Sequence, residues 1–158
     1  PATHEEIINA FPLGNQFAHS SVMYRHTAVM DAGGYDASFR YAQDLALWLE
    51  LAARHKVANL PEILVKIRVH PSQATRDARL RPVRLEDNRR LAERMMELPG
   101  MSRETRAAAR LRRAWLLWGL GRKGAALSDA AATLLGNPQV LAGRILQRAV
   151  RLLLTQRC

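Results

Sequence analysis

The 158-residue sequence predicts an α/β half followed by an all-helical region, and three observations carry that prediction. Residues 65–70 alternate apolar and potentially cationic side chains, as a strand with one buried face does. Residues 44–55 place Leu45, Trp48, Leu49 and Ala52 at i, i+3, i+4 and i+7, the spacing of a helix with one buried stripe. Beyond Leu80, glycine and proline cut the chain into lengths that suit helices. With 48% hydrophobic residues, one domain, or one domain and a tail, is expected.

In chain order, residues 16–24 are aromatic, β-branched and small, and follow Leu13-Gly14-Asn15, so they read as a strand. Residues 27–32 read as a short helix with Thr27 as its cap and Gly33 as its stop. The helix over 44–55 carries Glu50 and Arg54 as an outward i,i+4 pair. Residues 57–60 read as a short strand, Pro61-Glu62 as a turn, and 63–69 as a longer strand. Pleating sends Val65, Ile67 and Val69 inward and puts Lys66, Arg68 and His70 on one common face, a cationic group suited to a diphosphate. Four helices follow over 81–98, 102–120, 124–135 and 139–155, in an antiparallel arrangement. Two regions are expected, 1–76 and 77–158.

Charge divides the chain at the same place. Residues 1–70 hold six Lys/Arg against seven Asp/Glu, while residues 71–158 hold eighteen against seven. Such a field favours anionic partners. The single cysteine, Cys158, excludes an internal disulfide and a cysteine metal site, and fits a reducing, cytoplasmic setting. No apolar run approaches the roughly 20 residues that span a bilayer. The chain opens on Pro1, in what reads as the middle of a domain, so a fragment is expected.

Four segments, in this order, resemble family 2 glycosyltransferases. They are His19-Ser20-Ser21-Val22-Met23-Tyr24-Arg25, Gly33-Gly34-Tyr35-Asp36, Tyr41-Ala42-Gln43-Asp44-Leu45-Ala46-Leu47-Trp48-Leu49, and the run from Asn59 to His70. The resemblance covers residues 15–76 and not the helical tail. It implies the acceptor side of a GT-A (Rossmann-like) domain, in which a nucleotide-binding sheet carries helices on both faces. It also implies transfer of a sugar from a nucleoside diphosphate to an acceptor hydroxyl with inversion. Because the nucleotide-binding side has no counterpart here, no turnover is expected from this chain alone.

Inversion in one displacement needs a base for the acceptor's proton, and a carboxylate suits that task. The resemblance assigns the base to Asp44. On its own, an acid at a helix start reads as a capping group favoured by free N–H groups and the helix dipole. The family has Glu before this Asp, where this chain has Gln43, which keeps the size and loses the charge. The departing diphosphate must be stabilised by a metal or by fixed cations. Resemblance implies Mg2+ or Mn2+ held by an Asp-x-Asp motif that this sequence lacks, with Arg68 near the diphosphate and His70 as a further metal ligand. Gly34 and Tyr35 are placed at the acceptor cleft, and His19 as a substrate hydrogen-bonding group. Their plain structural readings are a turn glycine, a packed tyrosine, a strand histidine bonded to backbone and, for His70, a solvated loop residue.

The expected partners are a nucleotide sugar and a glycan or lipid-linked acceptor, in cell-envelope glycan synthesis. Near the C-terminus Arg144, Arg148 and Arg151 share a helix spacing beside Leu141, Ile145 and Leu152. A basic amphipathic helix of that kind can lie on an anionic membrane surface, at its inner face, or pack on its neighbours. The competing function is a basic helical module that binds nucleic acid or membrane without catalysis. No DNA- or RNA-reading motif accompanies the arginines, which weighs against nucleic acid.

Overall fold

The computed structural model describes residues 1–68 and 77–136. Its helices are α1 (His4–Ala10), α2 (His26–Asp31), α3 (Gln43–Arg54), α4 (Arg81–Glu97), α5 (Arg103–Gly119) and α6 (Lys123–Gly136), with 3-10 turns at Phe11–Leu13, His19–Ser21 and Ala78–Leu80. Among the described residues there is no strand. The expected α/β, GT-A-like sheet is therefore corrected to an all-helical arrangement with extended connections.

Strand periodicity failed here for a physical reason. Alternation tells which side chains would face a core if a neighbouring strand supplied hydrogen-bonding partners. In 57–68 the backbone is held by isolated anchors to the start of the chain rather than by a ladder, such as Asn59 N donating to Ala2 O at 3.1 Å and Val57 N to His4 Nδ1 at 3.3 Å. Ile63, Leu64 and Ile67 stay 94%, 70% and 57% exposed, so neither face is buried. In 16–24 the chain instead curls: Ser21 N donates to Ala18 O at 2.8 Å, and Ser21 Oγ donates to the same carbonyl at 2.7 Å. A short hydroxyl side chain offering such a local bond competes with a ladder.

The helices follow their signals more closely. α1, which was not expected, has a capping box: Glu6 N donates to Thr3 Oγ1 at 3.3 Å and Thr3 N donates to Glu6 Oε2 at 3.2 Å. The Thr3-x-x-Glu6 spacing is its sequence signature. α2 starts at His26 without a side-chain cap, so Thr27 lies inside it. It ends in a Schellman motif, with Gly33 N donating to Met30 O and Gly34 N to Val29 O, each at 2.9 Å. Gly33 and Gly34 hold φ of +85° and +71°, and an added Cβ on either would touch nothing within 4 Å. Replacing Gly34 with alanine therefore meets backbone strain rather than a clash. The expected loss is about 1–2 kcal/mol in urea unfolding, and an unchanged midpoint would contradict it.

One core joins α1 to α3 and α4. Ile7, Ile8 and Phe11 pack with Leu45–Leu49 of α3 and with Leu91, Met95, Leu98 and Met101 from α4 and its following loop. α3 is buried more widely than one stripe, since Ala46, Leu47 and Leu51 are also covered. Arg54 still pairs with Glu50 outside. α4, α5 and α6 pack in sequence. Arg113 of α5 reaches Glu93 while Arg122, beyond its end, reaches Glu86, so α4 and α5 run antiparallel. Arg113 also makes a bidentate pair with buried Asp129 of α6, at 2.6 and 2.7 Å.

No helix among the described residues is long and apolar enough to cross a membrane. The expected helix over 139–155, with Arg144, Arg148 and Arg151, lies outside the described residues, as does Cys158.

Candidate functional site

α3 brings the central acid to its place. Asp44 is the second residue of the helix and half-buried. Its Oδ2 accepts from Asn15 Nδ2 at 2.8 Å and its Oδ1 from Leu45 N at 2.7 Å. A carboxylate offers about four lone-pair sites, so each oxygen retains capacity for a further proton.

Beside Asp44 stands an aromatic and histidine group built on Trp48, one helical turn further along α3. The Trp48 ring, 2% exposed, meets Phe17 at 5.8 Å, His19 edge-on at 6.0 Å and Tyr24 at 6.2 Å between centroids. His19 Nε2 lies 3.0 Å from Tyr35 Oη. Burial raises the Tyr35 phenol above its ordinary range, with smaller pushes from the neighbouring Tyr24 and from the Asp44 carboxylate. Tyr35 is thus a neutral hydroxyl at neutral pH, close to Asp44 and tied to His19. Gly34 serves the group indirectly, because its left-handed backbone turns the chain out of α2 and into Tyr35.

Gln43, first residue of α3, buries an Oε1 that finds no donor among the described residues, and the Trp48 Nε1 is likewise unpartnered. A buried acceptor without a donor is a cost that a ligand hydroxyl can relieve. Arg68 is exposed and engaged, at the end of the described 57–68 segment. With no strand through 63–68, the pleat that would align Lys66 and Arg68 on one face is absent; His70 lies outside the described residues.

A cleft of about 710 Å³ opens on the far side of Trp48, between 17–28 and 55–67. Trp48 and Leu51 line it with Val22 and Ile63, and Arg25 and Lys56 join them. Asp44 is not among its lining residues. Its size falls in the usual range of ligand pockets.

Residues 36–41, which lead into α3, are held by α4. Asp36 Oδ2 accepts from Arg94 Nη2 at 2.7 Å, and its Oδ1 accepts from Ser38 N at 2.9 Å. The Ser38 hydroxyl first, then Arg94 and the Ser38 amide, hold the Asp36 carboxyl well below the usual range, at about 2. A depressed carboxyl contributes stability that is complete above its unfolded pKa, about 4, and is lost as pH falls through the folded value. Asp36→Asn should therefore flatten the dependence of unfolding free energy on pH between about 4 and 2; an unaltered slope would contradict the assignment.

Two neighbours of the site were not evident in the sequence. Asn15 reaches Asp44 across 29 residues, a separation that no helix or strand periodicity encodes. Tyr24 belongs to the expected strand, whose alternation gives no hint of a ring contact with Trp48.

The described residues contain no group of three or more His, Cys, Asp or Glu able to hold a metal ion. Asp44 stands without a second carboxylate, and its two oxygens are already bonded. These residues do not assemble a divalent-cation site.

Two known proteins match part of the chain. It is 36% identical over 69 residues, 43% of its length, to the amylovoran biosynthesis glycosyltransferase AmsE of Erwinia amylovora. It is also 36% identical over 77 residues, 48% of its length, to an uncharacterized glycosyltransferase of Haemophilus influenzae. The matched segments make up 26% and 28% of these relatives, so the chain spans about a quarter of the proteins it matches. No family model matches, and no solved structure does. Part of this chain is related to glycosyltransferases.

Proposed function

We propose that this chain carries the acceptor side of an inverting, family 2-like glycosyltransferase, with Asp44 as the general base. The single observation that supports this reading best is Asp44 itself, at the head of α3, half-buried and anchored by Asn15 while Tyr35 and His19 stand beside it. A capping acid alone needs no such company.

In the reaction, an acceptor hydroxyl oxygen attacks the anomeric carbon of the donor as an Asp44 oxygen takes its proton. The new glycosidic C–O bond forms while the bond from that carbon to the phosphate oxygen breaks, and the nucleoside diphosphate leaves with the electron pair. Tyr35, kept protonated, and His19 orient the acceptor, with Gln43 as a further substrate contact.

The donor is a nucleotide sugar, and the acceptor is a glycan or lipid-linked glycan. Cell-envelope polysaccharide synthesis is the role proposed, by analogy with the Erwinia relative named for amylovoran biosynthesis. Mg2+ or Mn2+ would be a donor-side cofactor, with His70 as one ligand and all of its ligands outside the described residues, and would stabilise the departing diphosphate. Arg68 is kept as a diphosphate contact. The site of action is the cytoplasmic side, at or near the membrane.

The test is transfer from a panel of nucleotide sugars by the full-length protein that carries this chain, with Mg2+ or Mn2+ and extracted envelope glycans as acceptors. A labelled glycan product from one donor supports the reading. Absence of both transfer and donor binding across the panel would sink it.

A further inference from the structure

A buried acid far from Asp44 in sequence governs how the chain arrives there. Asp87, in the middle of α4, is 4% exposed. Its Oδ2 accepts from Arg40 N at 2.9 Å and from Tyr41 N at 2.8 Å, two residues ahead of the first residue of α3. The same helix grips the loop at its earlier residues. Arg90 donates to Ser38 O at 2.9 Å and to Ser38 Oγ at 2.8 Å, and its guanidinium lies 4.1 Å from the Phe39 ring centroid. Arg94 lies 4.7 Å from the same ring while pairing with Asp36. Every residue from 36 to 41 except Ala37 is thus fixed by one helix face, and of these ties to α4 the ones nearest Asp44 are those to Asp87.

Burying a carboxylate costs free energy unless hydrogen bonds replace its water, and two charge-assisted backbone bonds do that here. The return is geometric: the loop enters α3 with its amides pinned, so the first turn of the helix starts from a fixed point. We propose that Asp87 is a positioning residue for sugar transfer, holding residues 40–41 so that Asp44 meets the acceptor. The basic helical region is then part of the transferase site. This inference rests on Asp44 being the base.

The experiment compares wild type, Asp87→Ala, Asp87→Asn and, as a control, Asp129→Asn in the full-length protein. Asp129 is equally buried, but pairs with Arg113 away from the loop. Displacing a base by about 1 Å costs on the order of 100-fold, so Asp87→Ala should lower kcat by about 10- to 100-fold with little change in donor KM. Asn keeps an oxygen that can accept both amides, so it should restore most of the rate. Asp129→Asn should lower thermal stability and leave kcat within about twofold. A kcat for Asp87→Ala no lower than that of the control, or no rescue by Asn, would overturn the proposal. Amide hydrogen exchange decides it without turnover: Asp87→Ala should speed exchange about tenfold at Arg40 and Tyr41 and also at Asp44 and Leu45, while α6 is unchanged. Acceleration confined to 40 and 41 would overturn the positioning role. If wild type transfers no sugar at all, the transferase reading falls, and the exchange pattern still shows whether Asp87 fixes the start of α3.

Discussion

Asp44→Asn is expected to lower sugar transfer by about 100- to 10,000-fold while donor binding is retained, the range that a positioned general base contributes. The substitution is nearly isosteric. An amide oxygen can accept from Asn15 as the carboxylate does, and the helix start keeps an oxygen near its free N–H groups. What it loses is a charge that favours the helix N-terminus, a change of about 0.3–1 kcal/mol. Folding is therefore expected to survive, so a rate loss reads as lost proton transfer rather than lost structure. The check is kcat measured beside donor affinity and an unfolding curve. A full rate in the variant would leave Asp44 as a helix-start acid and nothing more.

Trp48→Ala is expected to carry the largest stability cost, about 3–5 kcal/mol, as for other buried aromatics cut to a methyl. Domains of this size have total stabilities of about 5–15 kcal/mol, so much of the variant should be unfolded under mild denaturant. Three rings rest on this indole, from Phe17, His19 and Tyr24, and α3 presents it to both the core and the cleft. Its removal frees His19 from one side and with it the bond to Tyr35. Urea unfolding followed by circular dichroism checks the size of the effect. A loss under about 1 kcal/mol would mean that the rings close over the gap.

What the sequence made legible was local. The glycines after α2 and α5 act through neighbours within four or five residues, so spacing alone locates those helix ends. Trp48 was legible as core because Leu45, Leu49 and Ala52 share its stripe. The strands were not, because 63–67 specifies two faces and says nothing about a partner; with none among the described residues, Ile63 and Leu64 lie in solvent. The common face expected of Lys66 and Arg68 depended on that pleat, which is absent among the described residues, and His70 lies outside them.

The site divides along the same line. The placement of Asp44 at a helix start and the turn at Gly33-Gly34 follow from adjacent residues. Asn15 on Asp44, Tyr24 on Trp48 and Asp87 on Tyr41 join residues 29, 24 and 46 apart, and only the folded chain brings them together. Asp87 did carry a faint signal, an acid one turn before core Leu91 on the same helix face. An acid at a core position must have hydrogen-bond partners, but sequence does not say which.

The most direct test of single-displacement transfer on Asp44 is the anomeric configuration of the first product, read by proton NMR during turnover of the full-length protein with its preferred nucleotide sugar. One base and one displacement predict that an α-linked donor yields a β-linked product. A product that keeps the donor's configuration would require a different mechanism and would contradict the role given to Asp44.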